Sequence, residues 1–281
     1  MINAIEALTP SVAIGFDLLS FLALAAIVLI GLPHGAFDGA VALALGYGKT
    51  VQSISVFFLG YIAIAASVVV FWMVFSDVAL ILFLTISIWH FGIGDSQPGA
   101  WLQRTTQALA HGGLVVIGIS MLHRAEVEFI FFHLIGSETI LVWQFLYLTT
   151  FGLLIVLLAY LVLALWMPSL RIRFAELVGL GVTFYFLPPL VGFTLYFCGV
   201  HSVRHLRYTW AELRASSYAP STLILLALFL TLVSWIAGIL VFWQMPSAAI
   251  MDGAILRIIF IGLAALTVPH MLLVDGLFRR K

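Results

Sequence analysis

Eight histidines stand in a chain with little other polar chemistry, and four of them fall in two short boxes and one pair. His34 lies in Gly31-Leu-Pro-His-Gly-Ala-Phe-Asp38, His90 in Trp89-His-Phe-Gly-Ile-Gly-Asp95, and His201 and His205 in His-Ser-Val-Arg-His. Each sits at or near the end of a long apolar run. Ionisable side chains are expensive inside a membrane, so a cluster of them reads first as a functional site. Four neutral imidazoles suit a divalent transition metal. The pair is the strongest signal, because a spacing of four puts both rings on one helical face.

Each box also has a structural reading. His34 could simply hydrogen-bond a carbonyl at a helix end, but Pro33 and Gly35 point to irregular backbone, tolerated at membrane depth where it lines a cavity. Asp38 follows His34 by four residues and on a regular helix would share its face, as a carboxylate supporting a metal-bound imidazole does. Trp89 and Phe91 make His90 a candidate interfacial residue, while Gly92 and Gly94 open the backbone beside it. Arg204 and Arg207 beside the pair suit anionic lipid, and Arg204 would repel a bare metal. His111, before a Gly-Gly break, and His270, between Pro269 and Asp275, are weaker candidates for supporting or substrate-binding roles. Asp275 could balance a dication, and Glu176 could neutralise Arg171 or Arg173.

The elements that must position these residues are membrane helices. The chain of 281 residues is 64% hydrophobic and 9% charged, against roughly 25% charged in a soluble domain, and its mean hydropathy is +1.21. The apolar runs are solid rather than alternating, which means helices and not a barrel. The expected fold is an all-α polytopic bundle forming one integral-membrane domain over 1–281. A span needs about 20 apolar residues, and nine candidates, with eight to ten as the range, fall at about 12–33, 52–75, 77–93, 104–122, 140–166, 174–188, 190–206, 221–244 and 256–277. Pro188-Pro189 interrupts a stretch short for two spans, which suggests a hairpin. Cys198 is the single cysteine, so neither a disulfide framework nor a thiolate metal site is expected. Zero formal net charge argues against a nucleic-acid partner. The residues before the first run include Glu6 and neither Lys nor Arg, so a cleavable basic leader is not expected.

Basic residues orient the bundle, because cytoplasmic loops carry the excess of Lys and Arg. With Arg279-Arg280-Lys281 inside, Arg204, Arg207, Arg214, Arg171, Arg173, Arg104 and Lys49 also fall inside, ten of the twelve basic residues. Arg124 and Arg257 fall outside, with Glu126, Glu128 and Glu138 in the outer loop 123–139. The N-terminus is then external and the C-terminus cytoplasmic, in a multi-pass protein of the cell membrane. In this arrangement His34, His90, His111, His201, His205 and His270 share the cytoplasmic half of the membrane, and His123 and His133 do not. One site between helices is the expectation.

The ordered set of boxes resembles a known family. His-Gly-Ala-Phe-Asp after the first run, Trp-His-Phe-Gly in the third, His-Gly-Gly at 111–113, His-Ser-Val-Arg-His at 201–205 and Pro-His-Met-Leu-Leu-Val-Asp at 269–275 look like the Brp/Blh family of bacterial and archaeal membrane proteins, the β-carotene 15,15′-dioxygenases. The resemblance implies O2-dependent cleavage of β-carotene into two retinals, non-haem Fe(2+) as cofactor, and His34, His90, His201 and His205 as its ligands by motif. It also implies a functional link to a retinal-binding opsin. The competing readings are a haem-binding membrane electron carrier with bis-histidine ligation, and a non-enzymatic retinal carrier or opsin maturation factor. An opsin itself needs a buried lysine, and the only lysines are Lys49 and Lys281.

Overall fold

The computed structural model describes residues 17–244 and 251–278. The regular elements among them are all helical. Seven helices are long and apolar enough to cross a membrane: α1 (Leu18–Ala44), α2 (Val51–Val74), α3 (Ser76–Asp95), α4 (Trp101–Leu122), α6 (Ile140–Trp166), α9 (Pro220–Gln244) and α10 (Asp252–Gly276). Between them lie α5 (Arg124–Ile135), α7 (Arg171–Phe186) and α8, residues 189–213. The chain is therefore a multi-pass membrane protein. Seven of the nine expected spans correspond to these long helices. The remaining two are α7 and α8. The start of the first expected span, the N-terminus and the basic tail lie outside the described residues.

Pro188-Pro189 turns α7 and α8 into a hairpin. Pro188 is extended and Pro189 opens the next helix, where its missing N–H costs nothing. Arg204 Nη2 bonds the Glu176 carboxylate near one end, and Phe184 packs against Gly192 and Tyr196 near the other, so the two helices run antiparallel. At about 1.5 Å per residue α7 is shorter than a bilayer core. In contrast, α8 lies parallel to α1. Thr194 Oγ1 donates to Ala23 O at 3.2 Å and Cys198 Sγ to Ala26 O at 3.5 Å.

Two glycines set the closest helix crossing. A Cβ on Gly92 would overlap the Ala108 carbonyl, and one on Gly112 would overlap the Ile88 carbonyl. Only glycine lets the backbones of α3 and α4 approach so closely. The segment 123–139, expected as an outer loop, folds in part as α5, which buries Val127, Ile130, Phe131 and Leu134 at helical spacing. Gly136, with φ of 81°, ends it in the left-handed conformation that favours glycine.

Candidate functional site

Four helices deliver five imidazoles to one place. His34 comes from α1, His90 from α3, His201 and His205 from α8, and His270 from α10. The His34 ring centroid lies 5.6 Å from that of His201, 5.3 Å from His205 and 5.6 Å from His270. His90 is 5.0 Å from His201 and 5.2 Å from His270. His205 is 4.9 Å from His270, and the pair on α8 stacks at 6.3 Å. His90, His201, His205 and His270 are buried, and His34 is partly so.

The backbone is irregular where these residues enter. α1 winds as a π-helix over Ile27–Gly31 and then as a 3-10 helix over Leu32–Phe37, which carries His34. α8 is a π-helix over Leu195–His201. Pro269 lies inside α10 just before His270, and the segment Val274–Phe278 with Asp275 is again π-helical. Such one-turn π segments are rare and recur at functional sites, because an extra residue re-aims the side chains that follow. The Pro33 box thus does not end the first helix. Pro33 falls near the start of the 3-10 segment, and the helix runs on to Ala44.

Carboxylates and hydroxyls orient the rings. His90 Nδ1 donates to Asp275 Oδ2 at 3.0 Å, and His270 Nδ1 donates to Asp38 Oδ1 at 2.8 Å. Asp38 Oδ2 in turn accepts from the Tyr61 hydroxyl at 2.8 Å. His34 Nδ1 meets the Gly31 carbonyl, with Ser202 Oγ 3.1 Å away. In a neutral imidazole whose Nδ1 donates, Nε2 carries the lone pair. His205 is reversed: Nε2 lies 3.2 Å from Thr209 Oγ1, and Nδ1 has no hydrogen-bond partner among the described residues. Phe91 and Phe197 pack on His201, at centroid distances of 4.9 and 6.0 Å.

Regular helical spacing predicts that Asp38 supports His34, but Asp38 bonds His270 and Tyr61 instead. The reason is the 3-10 winding of Leu32–Phe37. At about 3 residues per turn, positions four apart point roughly 120° away from each other, so Asp38 faces α10 instead. Nor does Arg204 threaten the cluster. Its guanidinium bonds Asp95 Oδ1 at 2.8 Å and the Glu176 carboxylate, and Glu176 also holds Arg173 at 3.0 Å. Tyr196 donates to the second Asp95 oxygen at 2.7 Å.

The ring separations are compatible with several rings sharing one ion. An imidazole nitrogen about 2.1 Å from a metal puts the ring centroid roughly 3.2 Å away, so two rings sharing one ion stand roughly 4.6 Å apart at right angles and roughly 6.5 Å apart when opposed. The distances of 4.9 to 6.3 Å fall within that interval. Among the described residues no three His, Cys, Asp or Glu side chains already converge as tightly as a closed metal centre. The rings are near neighbours, but as they stand their nitrogens do not converge on one point.

Other sequence candidates stand apart. His111 is fully buried in α4, with Tyr160 as its ring neighbour at 5.9 Å, and neither ring nitrogen has a hydrogen-bond partner among the described residues. His123 Nε2 bonds Phe184 O at 2.6 Å, and His133 Nδ1 bonds Phe129 O at 2.8 Å. Tyr61, Ser202 and Thr209 were not legible as site residues. Tyr61 is one aromatic in an apolar run, though Ser202 and Thr209 sit one residue after His201 and four after His205.

Comparisons with known proteins agree with the ordered boxes. The family described as "Beta-carotene 15,15'-dioxygenase" matches residues 25–278. A "Beta-carotene 15,15'-dioxygenase" from an uncultured marine bacterium is 34% identical over 266 residues, 94% of this chain and 96% of that protein. A "Probable beta-carotene 15,15'-dioxygenase Blh" from Halobacterium salinarum is 26% identical over 321 residues, 96% of this chain and 92% of that protein. No solved structure matches the chain.

Proposed function

The chain belongs to the β-carotene 15,15′-dioxygenase family, and from that premise we propose that it cleaves the central 15,15′ double bond of β-carotene with O2. The products are two molecules of all-trans-retinal. The carbon–carbon double bond breaks and one oxygen atom ends in each aldehyde, so no net proton transfer is required and no general acid or base is assigned. A hydrocarbon of this size dissolves only in the bilayer, which is where the helices hold the site.

The observation that carries the reading is the cluster of imidazoles, oriented by the carboxylates of Asp38 and Asp275, between α1, α3, α8 and α10. His34, His90, His201 and His205 would hold Fe(2+). When bound, non-haem iron supplies the redox chemistry that lets O2 react with a polyene. Asp275 sets the tautomer and direction of the His90 ring, as carboxylates do for metal-bound imidazoles. The Gly31 carbonyl and Ser202 do so for His34, and Thr209 for His205. Phe91 and Phe197 shield His201 from water and offer an apolar wall to a polyene. The same crowding speaks against a bis-histidine haem carrier. A porphyrin between two axial rings would need the space that neighbouring rings fill.

We place the protein in the cell membrane with its N-terminus outside and its C-terminus cytoplasmic. Retinal leaves as an aldehyde, the form that a lysine of an opsin takes up as a Schiff base, so an opsin is the expected consumer. Expression in a bacterium that accumulates β-carotene tests the function. Bleaching with extractable retinal is expected, together with about one iron per chain by the ligand argument and no Soret band. Unchanged β-carotene with folded protein overturns the activity, a Soret band overturns the non-haem site, and retinal binding without cleavage points to a carrier.

A further inference from the structure

We infer that His270 is a fifth metal-ligating histidine, aimed into the cage by a relay of Tyr61 and Asp38. The inference rests on the metal site proposed above and adds a residue to it. His270 is seated as deeply in the cage as the other rings, 5.6 Å from His34, 5.2 Å from His90 and 4.9 Å from His205. The shortest of these is also the shortest separation in the cluster.

Its anchor repeats the chemistry of His90. In both, Nδ1 donates to one carboxylate oxygen, so the ring's lone pair lies on Nε2. This arrangement is the usual support of a metal-bound imidazole. Asp38 is 4% exposed and engages both oxygens, Oδ1 with His270 and Oδ2 with Tyr61. It makes no ion pair with Lys or Arg among the described residues. A buried carboxylate held by neutral donors alone is costly. A dication on the far side of His270 supplies the missing positive charge through the ring. Tyr61 carries the support to α2, where its hydroxyl also lies 3.4 Å from Leu266 O one turn before His270. A fifth imidazole leaves fewer coordination positions open than the four-histidine set does.

The test uses the full-length protein, stripped of metal and titrated anaerobically with Co(II), whose visible absorption reports both affinity and coordination number. His270→Ala should weaken Co(II) binding by more than about 100-fold, beyond the effect of lost supporting groups, and should raise the molar absorption as coordination number falls. His270→Gly should recover the native spectrum on addition of free imidazole. Asp38→Asn and Tyr61→Phe should weaken binding by about 10–100-fold or less with the native spectral shape retained. Those two keep the packing of the cage and decide the matter if the His270 variants do not fold. Native affinity and spectrum in His270→Ala or in both relay variants, while His201→Ala loses the metal, overturn the fifth ligand alone. Native binding in His201→Ala as well overturns the metal site itself.

Discussion

His34 and His90 are held by anchors of different strength, and the difference has a measurable consequence. A charged acceptor makes the stronger hydrogen bond, and Asp275 is the acceptor of His90. Asp275→Asn should lower iron affinity by about 10–100-fold, read by anaerobic metal titration. Ser202→Ala should do much less, because the Gly31 carbonyl still holds the His34 ring. On the far side of the fold, His123 and His133 each commit a ring nitrogen to a backbone carbonyl. His123→Ala and His133→Ala should keep retinal formation and iron content, at a stability cost of about 0.5–1.5 kcal/mol for the lost hydrogen bond. If either proves essential while His201 and His205 tolerate substitution, the cage is not the site. At this scale the histidines announced themselves by rarity, as polar groups in apolar runs. Their partners did not, because Tyr61 and Asp38 reach His270 across three helices and no sequence spacing encodes that.

The helices owe their positions to small residues and irregular turns more than to propensity. Gly92 sits two residues after His90, and Gly112 one residue after His111, at the tightest point between α3 and α4. Gly92→Val should force these helices apart, costing at least the roughly 1–3 kcal/mol of an overpacked core, since backbone rather than a flexible side chain is in the way. The expected readout is a lower melting temperature in detergent together with loss of bound iron, because His90 moves with α3. Gly152→Ala, in α6 with open space around it, should change neither. The importance of a glycine beside a histidine box was legible in the sequence, but its partner helix was not. The 3-10 segment Leu32–Phe37 shows the limit more sharply. Pro33 and Gly35 marked irregular backbone there, but the spacing of four let His34 and Asp38 share a face, and only the observed winding turns Asp38 toward α10. In α5 the signal was partial: Val127, Ile130, Phe131 and Leu134 are spaced along one helical face, but Phe129 and Phe132 make the other faces apolar too, within a segment otherwise marked by its three acidic residues.

For the whole molecule, seven spans were legible because apolar runs of this length have no other way to be buried or solvated. The α7–α8 pair was legible as two short candidate spans that Pro188-Pro189 turns into a hairpin, because the stretch is too long for one crossing and short for two. Its antiparallel course matters for orientation. It returns the chain to the side it left, so Arg171 and Arg173 at one end and Arg207 and Arg214 at the other fall together. That parity puts the basic residues of four connections on one face, and by the positive-inside preference that face is expected to be the cytoplasmic one. A reporter fused to the C-terminus should therefore read cytoplasmic and one fused to the N-terminus external, and a reporter inserted at 215–219, between α8 and α9, should agree with the C-terminal one. The cage lies near this same face, six residues from the end of α10 at His270 and five from the end of α3 at His90. Membrane-impermeant chelator added to sealed spheroplasts should then leave iron in place, whereas inverted vesicles should lose it faster. Equal loss from both preparations, or N- and C-terminal reporters on one side, would break the link between the basic loops and the depth of the histidines.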